Sequence, residues 1–477
     1  MFDFTKELIS QAVSMGASYA EGRVVDQSQQ AVTSKNNVSN ISESKTCGFG
    51  IRVLVDGHWG FASDSMAQHN PSQTVKKAIA LARAMPERSR RVRLADTPPV
   101  QDNYDTPCEQ DPFSVSTSEK VDLVQSITQA MSDASNKVVK SEAKLDFRRE
   151  ISYLVTSEGT EIRQTITRSG LVMSSMVEED GQVFQRAFPS RHGDCGSGGY
   201  ELIKAFKPLD AVDKIVPEAI ELIDAPSCPE GITTVILDPS MLGMVLHETV
   251  GHAIELDRAL GDEADNFGSS FLRPHHLGEF QYGSDHVSIV ADATRAGAVA
   301  TYGYDHEGVK VQEIPIVEQG IFKNYLMSRE TALHLDKQSN GTALATSWNR
   351  IPMVRITNLC LMPGEHTKEQ LISETDDGLY LETFKGADID DKRLTFSFAA
   401  ERGWKIRNGK IVGLVKNPVI YGETPTFWRN CTGVAGIDQS RIGGIFYCGK
   451  GLPWQFISTG QGGPPARFEQ VKVGSSA

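Results

Sequence analysis

Six consecutive residues, His247-Glu248-Thr249-Val250-Gly251-His252, restrict the local fold more than any other feature of this 477-residue chain. Asp238-Pro239 just upstream is a helix start, with Asp at the N-cap and Pro at the first helical position. A helix begun there carries both histidines. On a regular α-helix a five-residue step turns ~140° past one full circle. The two imidazoles would then point apart and could not share an ion. Zinc hydrolases of the His-Glu-x-x-His type space their histidines four apart on one face, with the Glu as general base. The extra residue here is Gly251, and glycine tolerates unusual backbone angles. The spacing therefore predicts a π-type bulge, or a helix end, between Glu248 and Ala253.

Two facing histidines leave a catalytic metal site one protein ligand short, with a further position open for water. Downstream candidates are Glu255, Asp257, His275, His276 or a distant cysteine. Cys448 lies among glycines that permit close backbone approach, and Lys450 would favour its thiolate. The competing readings are plain: a solvated helix face for the histidine motif, and a buried inert thiol for the cysteine. The spacing alone leaves the third ligand open.

Around this motif the chain reads as a mixed α+β protein. A helical pattern (Phe4, Leu8, Ile9, Ala12, Val13) precedes strand-like runs at 19–25, 48–55 and 59–62, with Asp56-Gly57 as a hairpin signal. A second helix covers 72–85. Ser116 with Glu119 marks the start of a third helix, followed by a β-meander over about 138–190, turning at Ser157-Glu158-Gly159 and Asp180-Gly181. A Gly-rich stretch, 193–199, and a helical pattern to about Ile223 follow. Beyond about 280, short strands with Gly and Asn turns predict a β-rich, barrel- or sandwich-like end. The expected division is an N-terminal α/β domain at 1–92, a Pro-rich linker at 93–115, a central α/β meander domain at 116–225 and a β-rich domain carrying the motif at 226–477. At roughly 150 residues per domain the length suits three.

Composition narrows the class. A formal net charge of -13 argues against a nucleic-acid partner, which would meet a basic face. No apolar run is long enough for a membrane-spanning helix, and the opening MFDFTKELISQAVSMG lacks the pattern of a signal peptide. Seven sparse cysteines without a CxxC suit a reducing, cytoplasmic setting. Two other motifs carry less. Gly444-x4-Gly449-Lys450 has Gly451 where a phosphate-binding loop needs Ser or Thr, and Pro453 where a helix should begin, so nucleotide binding is rejected. Gly193-Asp194-Cys195-Gly196-Ser197-Gly198-Gly199 has the look of a cysteine-protease nucleophile loop, with His58 or His69 as base, but a Gly-rich turn explains it equally well.

The combination of motifs resembles the TldD/PmbA family, in its TldD branch, over nearly the whole chain. The likeness runs through Gly48-Phe49-Gly50-Ile51-Arg52, Val177-Glu178-Glu179-Asp180-Gly181 and the histidine motif. It continues through Gly268-Ser269-Ser270, Tyr304-Asp305-His306-Glu307-Gly308, Pro352-Met353-Val354-Arg355, Met362-Pro363-Gly364 and Cys448-Gly449-Lys450. The resemblance implies a cytoplasmic zinc metallopeptidase that cleaves unfolded or flexible peptides. It implies zinc held by His247, His252 and Cys448, with Glu248 as the catalytic carboxylate. It further implies a dimer, formed either by two copies of this chain or as a heterodimer with a PmbA/TldE-like subunit that lacks the metal motif. Thr249, Ile254 and Leu256 depart from the Ala, Leu and Gly of the family's pattern. The runner-up is a non-catalytic modulator subunit, which need not keep the His247, Glu248, His252 and Cys448 set. A cysteine peptidase using Cys195 is a third option.

Overall fold

The computed structural model describes residues 1–67, 69–86, 89–263 and 268–476. Helix α1 (Phe2–Ser14) leads into strands β1 (Tyr19–Lys35), β2 (Val38–Val55) and β3 (His58–Ser65) and helix α2 (Pro71–Arg83). Asp56 and Gly57 take φ of 52° and 83°, the positive pair that a tight hairpin requires. Asn36 and Asn37 do the same between β1 and β2, with φ of 48° and 64°. The first two strands therefore run far past the expected limits, to Lys35 and from Val38. Hydropathy hid this extension because two of its three buried positions, on either side of Val32, are polar: Gln30 accepts from Lys120 Nζ, and the Ser34 hydroxyl meets that of Thr128. The facing stretch of β2, 38–46, is almost wholly exposed.

Strand β4 (Gln101–Asp105) comes from the Pro-rich segment, followed by α3 (Thr117–Ala134), β5 (Val138–Thr156), β6 (Glu161–Glu179), β7 (Gln182–Phe188), β8 (Asp194–Ser197), α4 (Glu201–Ala205) and α5 (Pro208–Asp224). Ser116 caps α3, accepting from the Glu119 amide at 3.1 Å. All eight strands form one sheet in the order β3-β2-β1-β5-β6-β4, with β7 and β8 also on β6. The two helix–meander–helix segments join through antiparallel β1 and β5, from Glu21 opposite Thr156 to Lys35 opposite Glu142. Leu145 and Phe147 of β5 pack under α3 and α5. Alternation then turns Arg148 and Glu150 toward the C-terminal part of the chain.

That part begins with β9 (Gly231–Leu237) and α6 (Pro239–Leu246). Asp238 caps α6 as expected, accepting from the Met241 amide at 2.8 Å. From Met241 to its end the helix is buried all round, in one core with Leu237, Leu359, Phe398 and Phe468. On one side lies a six-stranded sheet that ends in Asn358–Leu361, Gln455–Gly463 and Arg441–Lys450. On the other, five strands close on themselves: Asp377–Ile389, β9, Ala466–Ser475, Pro418–Glu423 and Thr395–Arg407, the last pairing back onto the first. The mixed α/β N-terminal part and the barrel-like C-terminal part agree with the expected class. Among the described residues no helix is long and apolar enough to cross a membrane.

Candidate metal centre

Helix α6 runs straight into a single π-helical turn, His247–Gly251. The His252 amide donates to the His247 carbonyl at 3.2 Å, a step of five residues in place of four. This widened turn brings the rings together, with centroids 4.9 Å apart. The predicted break in the helix is present, but the reason for Gly251 differs. Its φ is not in the left-handed region. A Cβ there would lie 2.7 Å from Ile356 Cδ1 and 3.4 Å from Leu359 Cδ2, so the glycine serves close packing of the turn on its neighbours. Gly251→Val is therefore expected to cost about 1–3 kcal/mol through overpacking, and to weaken metal binding by shifting both histidines. Thermal denaturation and a metal titration check the two effects.

Cys448 arrives from the strand Arg441–Lys450. The donor atoms of His247, His252 and Cys448 all lie within 4.8 Å of one another, and all three residues are buried. Cys448 Sγ is 3.7 Å from His252 Nε2. Zinc–nitrogen and zinc–sulfur bond lengths in a tetrahedral arrangement require about 3.6 Å between such donors. Behind the ring, His252 Nδ1 sits 3.1 Å from Glu255 Oε2, which fixes the ring with Nε2 toward the cluster. Nδ1 of His247 is buried and has no hydrogen-bond partner among the described residues. A buried polar atom left in that state is costly, and a ligand would relieve it.

The electrostatics fit the same picture. Burial alone would raise the Cys448 thiol, but the imidazoles of His252 and His247 hold it well below the usual thiol range. Burial alone would lower His247, and the Cys448 charge raises it instead. Lys450 is not the group that favours the thiolate. Its ammonium is spent on Asp257, 2.7 Å from both carboxylate oxygens, and on the Val354 carbonyl, with Glu255 Oε1 at 3.4 Å. Alternation puts Cys448 and Lys450 on one face of the strand, and the longer side chain reaches past the cluster to the acids behind it.

Glu248, in the π turn, keeps 22% of its side chain exposed, and Arg393 Nη1 lies 3.3 Å from its Oε2. Burial would raise this carboxyl, but His252, His247 and Arg393 together hold it below its ordinary value. Arg393 itself has φ of 62°, a left-handed conformation rarely taken by a long side chain. Nothing in the sequence singles it out, since Asp390-Asp391-Lys392-Arg393 reads as an ordinary charged turn.

The remaining candidates fall elsewhere. Glu255 and Asp257 are engaged by Arg258 and Lys450. His275 and His276 meet edge to face with ring centroids 4.4 Å apart, and His276 stacks on Phe280. Cys195 is packed with Val299, Ala300 and Phe446, and burial pushes its thiol well above the ordinary value. His69 packs on Phe4 and Phe49 instead of meeting that cysteine. Gly444 and Lys450 belong to one strand paired with Gln455–Gly463, not to a phosphate-binding loop.

Comparison with known proteins places most of the chain in one family. Three family models match in order: PmbA/TldA metallopeptidase domain 1 at 23–85, the central domain at 110–223 and the C-terminal domain at 229–475. A metalloprotease of Methanocaldococcus jannaschii is 30% identical over 460 residues, covering 96% of this chain and 97% of its own. A metalloprotease TldD homolog of Buchnera aphidicola is 26% identical, covering 90% of this chain and 86% of its own. Among solved structures, a putative modulator of a DNA gyrase from Thermotoga maritima superposes with a TM-score of 0.79 at 19% identity, covering 99% of each chain. TldE from Thermococcus kodakarensis superposes with a TM-score of 0.75 at 14% identity, covering 99% of this chain and 100% of its own. With three domain models in register and a relative matched almost end to end, the chain belongs to the PmbA/TldD family.

Proposed function

We propose that the chain is a zinc-dependent peptidase acting on unfolded or extended peptides. The observation that carries this reading is the buried group of two imidazoles and a thiol, their donor atoms within 4.8 Å of one another, with a carboxylate beside it. His247, His252 and Cys448 would hold the ion. A nitrogen and sulfur donor set suits zinc and not magnesium or calcium, which take oxygen. Three protein donors match a catalytic site, not a closed structural one.

When bound, zinc supplies Lewis acidity to a scissile carbonyl and makes a water more acidic. Glu248 does the proton work. Its carboxylate, kept ionised by its cationic neighbours, accepts a proton from the attacking water at Oε and passes it to the leaving amine nitrogen. Arg393 steadies that carboxylate from the other side. The Cys448 thiolate donates more negative charge than a third imidazole would, which leaves more of the deprotonation to Glu248.

Tolerance of many peptide sequences fits backbone pairing of an extended substrate with a sheet edge. Likeness in fold to TldE supports a dimer with a TldE-like subunit. Seven unpaired cysteines support a cytoplasmic setting.

The test is elemental analysis together with peptide cleavage, with and without a candidate TldE-like partner. Zinc at about one equivalent per chain, and cleavage abolished by a chelator and restored by zinc, are the expected results. A chain that takes up no zinc and cleaves nothing in either setting would be a modulator subunit.

A further inference from the structure

A polar cavity of about 90 Å³ separates the first sheet from the C-terminal part of the chain. Its floor is the face of the sheet opposite helices α3 and α5. Gln29, Arg148 and Arg168 form one row across β1, β5 and β6, and Gln27, Glu150 and Ile166 form the next. Its roof includes Tyr302, His306, Ile457 and Ser458. Ile457 is also the register partner of Cys448, so the cavity borders the strand pair that carries the metal cluster.

Arg148 and Arg168 stand directly opposite on paired strands, where like charges repel. Arg148 is satisfied: Nε donates to Asp146 at 3.1 Å, Nη1 to the Phe446 carbonyl, and the guanidinium lies over the Phe446 ring. Arg168 is not. Nε donates to the Val299 carbonyl at 2.7 Å, but among the described residues its two Nη groups meet no acceptor, and the residue lines the cavity. Burial works against this charge, and Glu150 offsets part of that cost.

Glu150 supplies the opposite character. Its Oε2 accepts from Gln27 Nε2 at 2.8 Å, and its Oε1 lies 3.8 Å from His306 Nε2. His306 Nδ1 already receives Arg23 Nη1 at 2.8 Å and the Ala345 amide at 2.9 Å. That ring is therefore the neutral form with its proton on Nε2. The cavity thus holds an underused fork of donors and, a diagonal step away, a carboxylate acceptor.

We propose that this cavity binds the free C-terminal carboxylate of a peptide, with the Arg168 fork on the carboxylate and Glu150 accepting a nearby backbone N–H. A bidentate arginine matches a planar carboxylate. Glu150 disfavours a doubly charged anion, whereas a peptide end presents an N–H beside its single charge. The choice of a peptide end rests on the peptidase reading; the carboxylate chemistry does not.

The test is calorimetric titration of the Glu248→Gln protein, which leaves peptide intact. The probes are N-acetyl-Ala-Ala as free acid, the same dipeptide as its C-terminal amide, and inorganic phosphate. The free acid is expected to bind about tenfold or more tightly than the amide, with phosphate no better than the amide. Arg168→Gln should erase the difference between acid and amide, while Glu150→Gln should leave acid binding as tight or tighter and let phosphate gain. Equal binding of acid and amide, preference for phosphate, or equal weakening by both substitutions would overturn the assignment. Failure of the peptidase reading shows separately, in zinc content and cleavage by the unsubstituted protein.

Discussion

Glu248→Gln protein, loaded with zinc, is expected to lose peptide cleavage by about 100-fold or more, the scale of removing a general base. The amide is nearly isosteric with the carboxylate and cannot take the proton. The proposed ligand donors belong to other residues, so metal content should be unchanged, and elemental analysis beside a cleavage assay reads both quantities. Glu255 offers no substitute, because it is wholly buried behind His252, with Oε2 shared between His252 and Arg258 and Oε1 3.4 Å from the Lys450 ammonium. Near-normal turnover in a metal-loaded variant would therefore move the proton transfer to a group outside this cluster.

Cys448→Ser is expected to do the opposite damage: the metal goes first and activity follows. A neutral hydroxyl is a poor replacement for a thiolate held low by two imidazoles. The loss in affinity should exceed the ~10–100-fold typical of removing an outer partner of a ligand. Because an ion bound only by the folded chain stabilises it, added zinc should raise the melting temperature of the unsubstituted protein and leave that of the variant nearly unmoved. Full zinc occupancy in Cys448→Ser would mean that another residue is the third ligand.

Local chemistry made much of the fold legible. Asp56-Gly57 and Asp180-Gly181 turn the chain where expected, because few dipeptides take two positive φ angles. Asp238-Pro239 starts its helix for reasons equally local. The second half of β1 escaped, because Gln30 and Ser34 are polar residues on a buried face, satisfied by Lys120 and Thr128 some ninety residues away. No hydropathy pattern contains such partners.

The site divides in the same way. The irregular turn between His247 and His252 follows from angular arithmetic, whereas the need for Gly251 came from Ile356 and was invisible locally. Spacing could not choose Cys448 from the other possible donors; family likeness suggested it. Arg393 gave no signal, because its role depends on a turn folding back against Glu248. Lys450 was given the wrong neighbour, since a strand pattern fixes the face of a side chain but not how far it reaches.

The order of the strands also bears on synthesis. Ala466–Ser475 shuts the five-strand circuit against Gly231–Leu237, the strand that leads into the histidine helix. Arg441–Lys450 brings its thiol to a histidine that lies 196 residues earlier in the chain. On the ribosome, the histidines leave the exit tunnel long before the cysteine does. A growing chain thus carries no complete cluster, and under the proposed activity it has no means of cutting. Hydrolytic competence would arrive only after the final strands emerge and dock. Under that proposed activity, this order of elements would keep an unfinished chain from cutting itself.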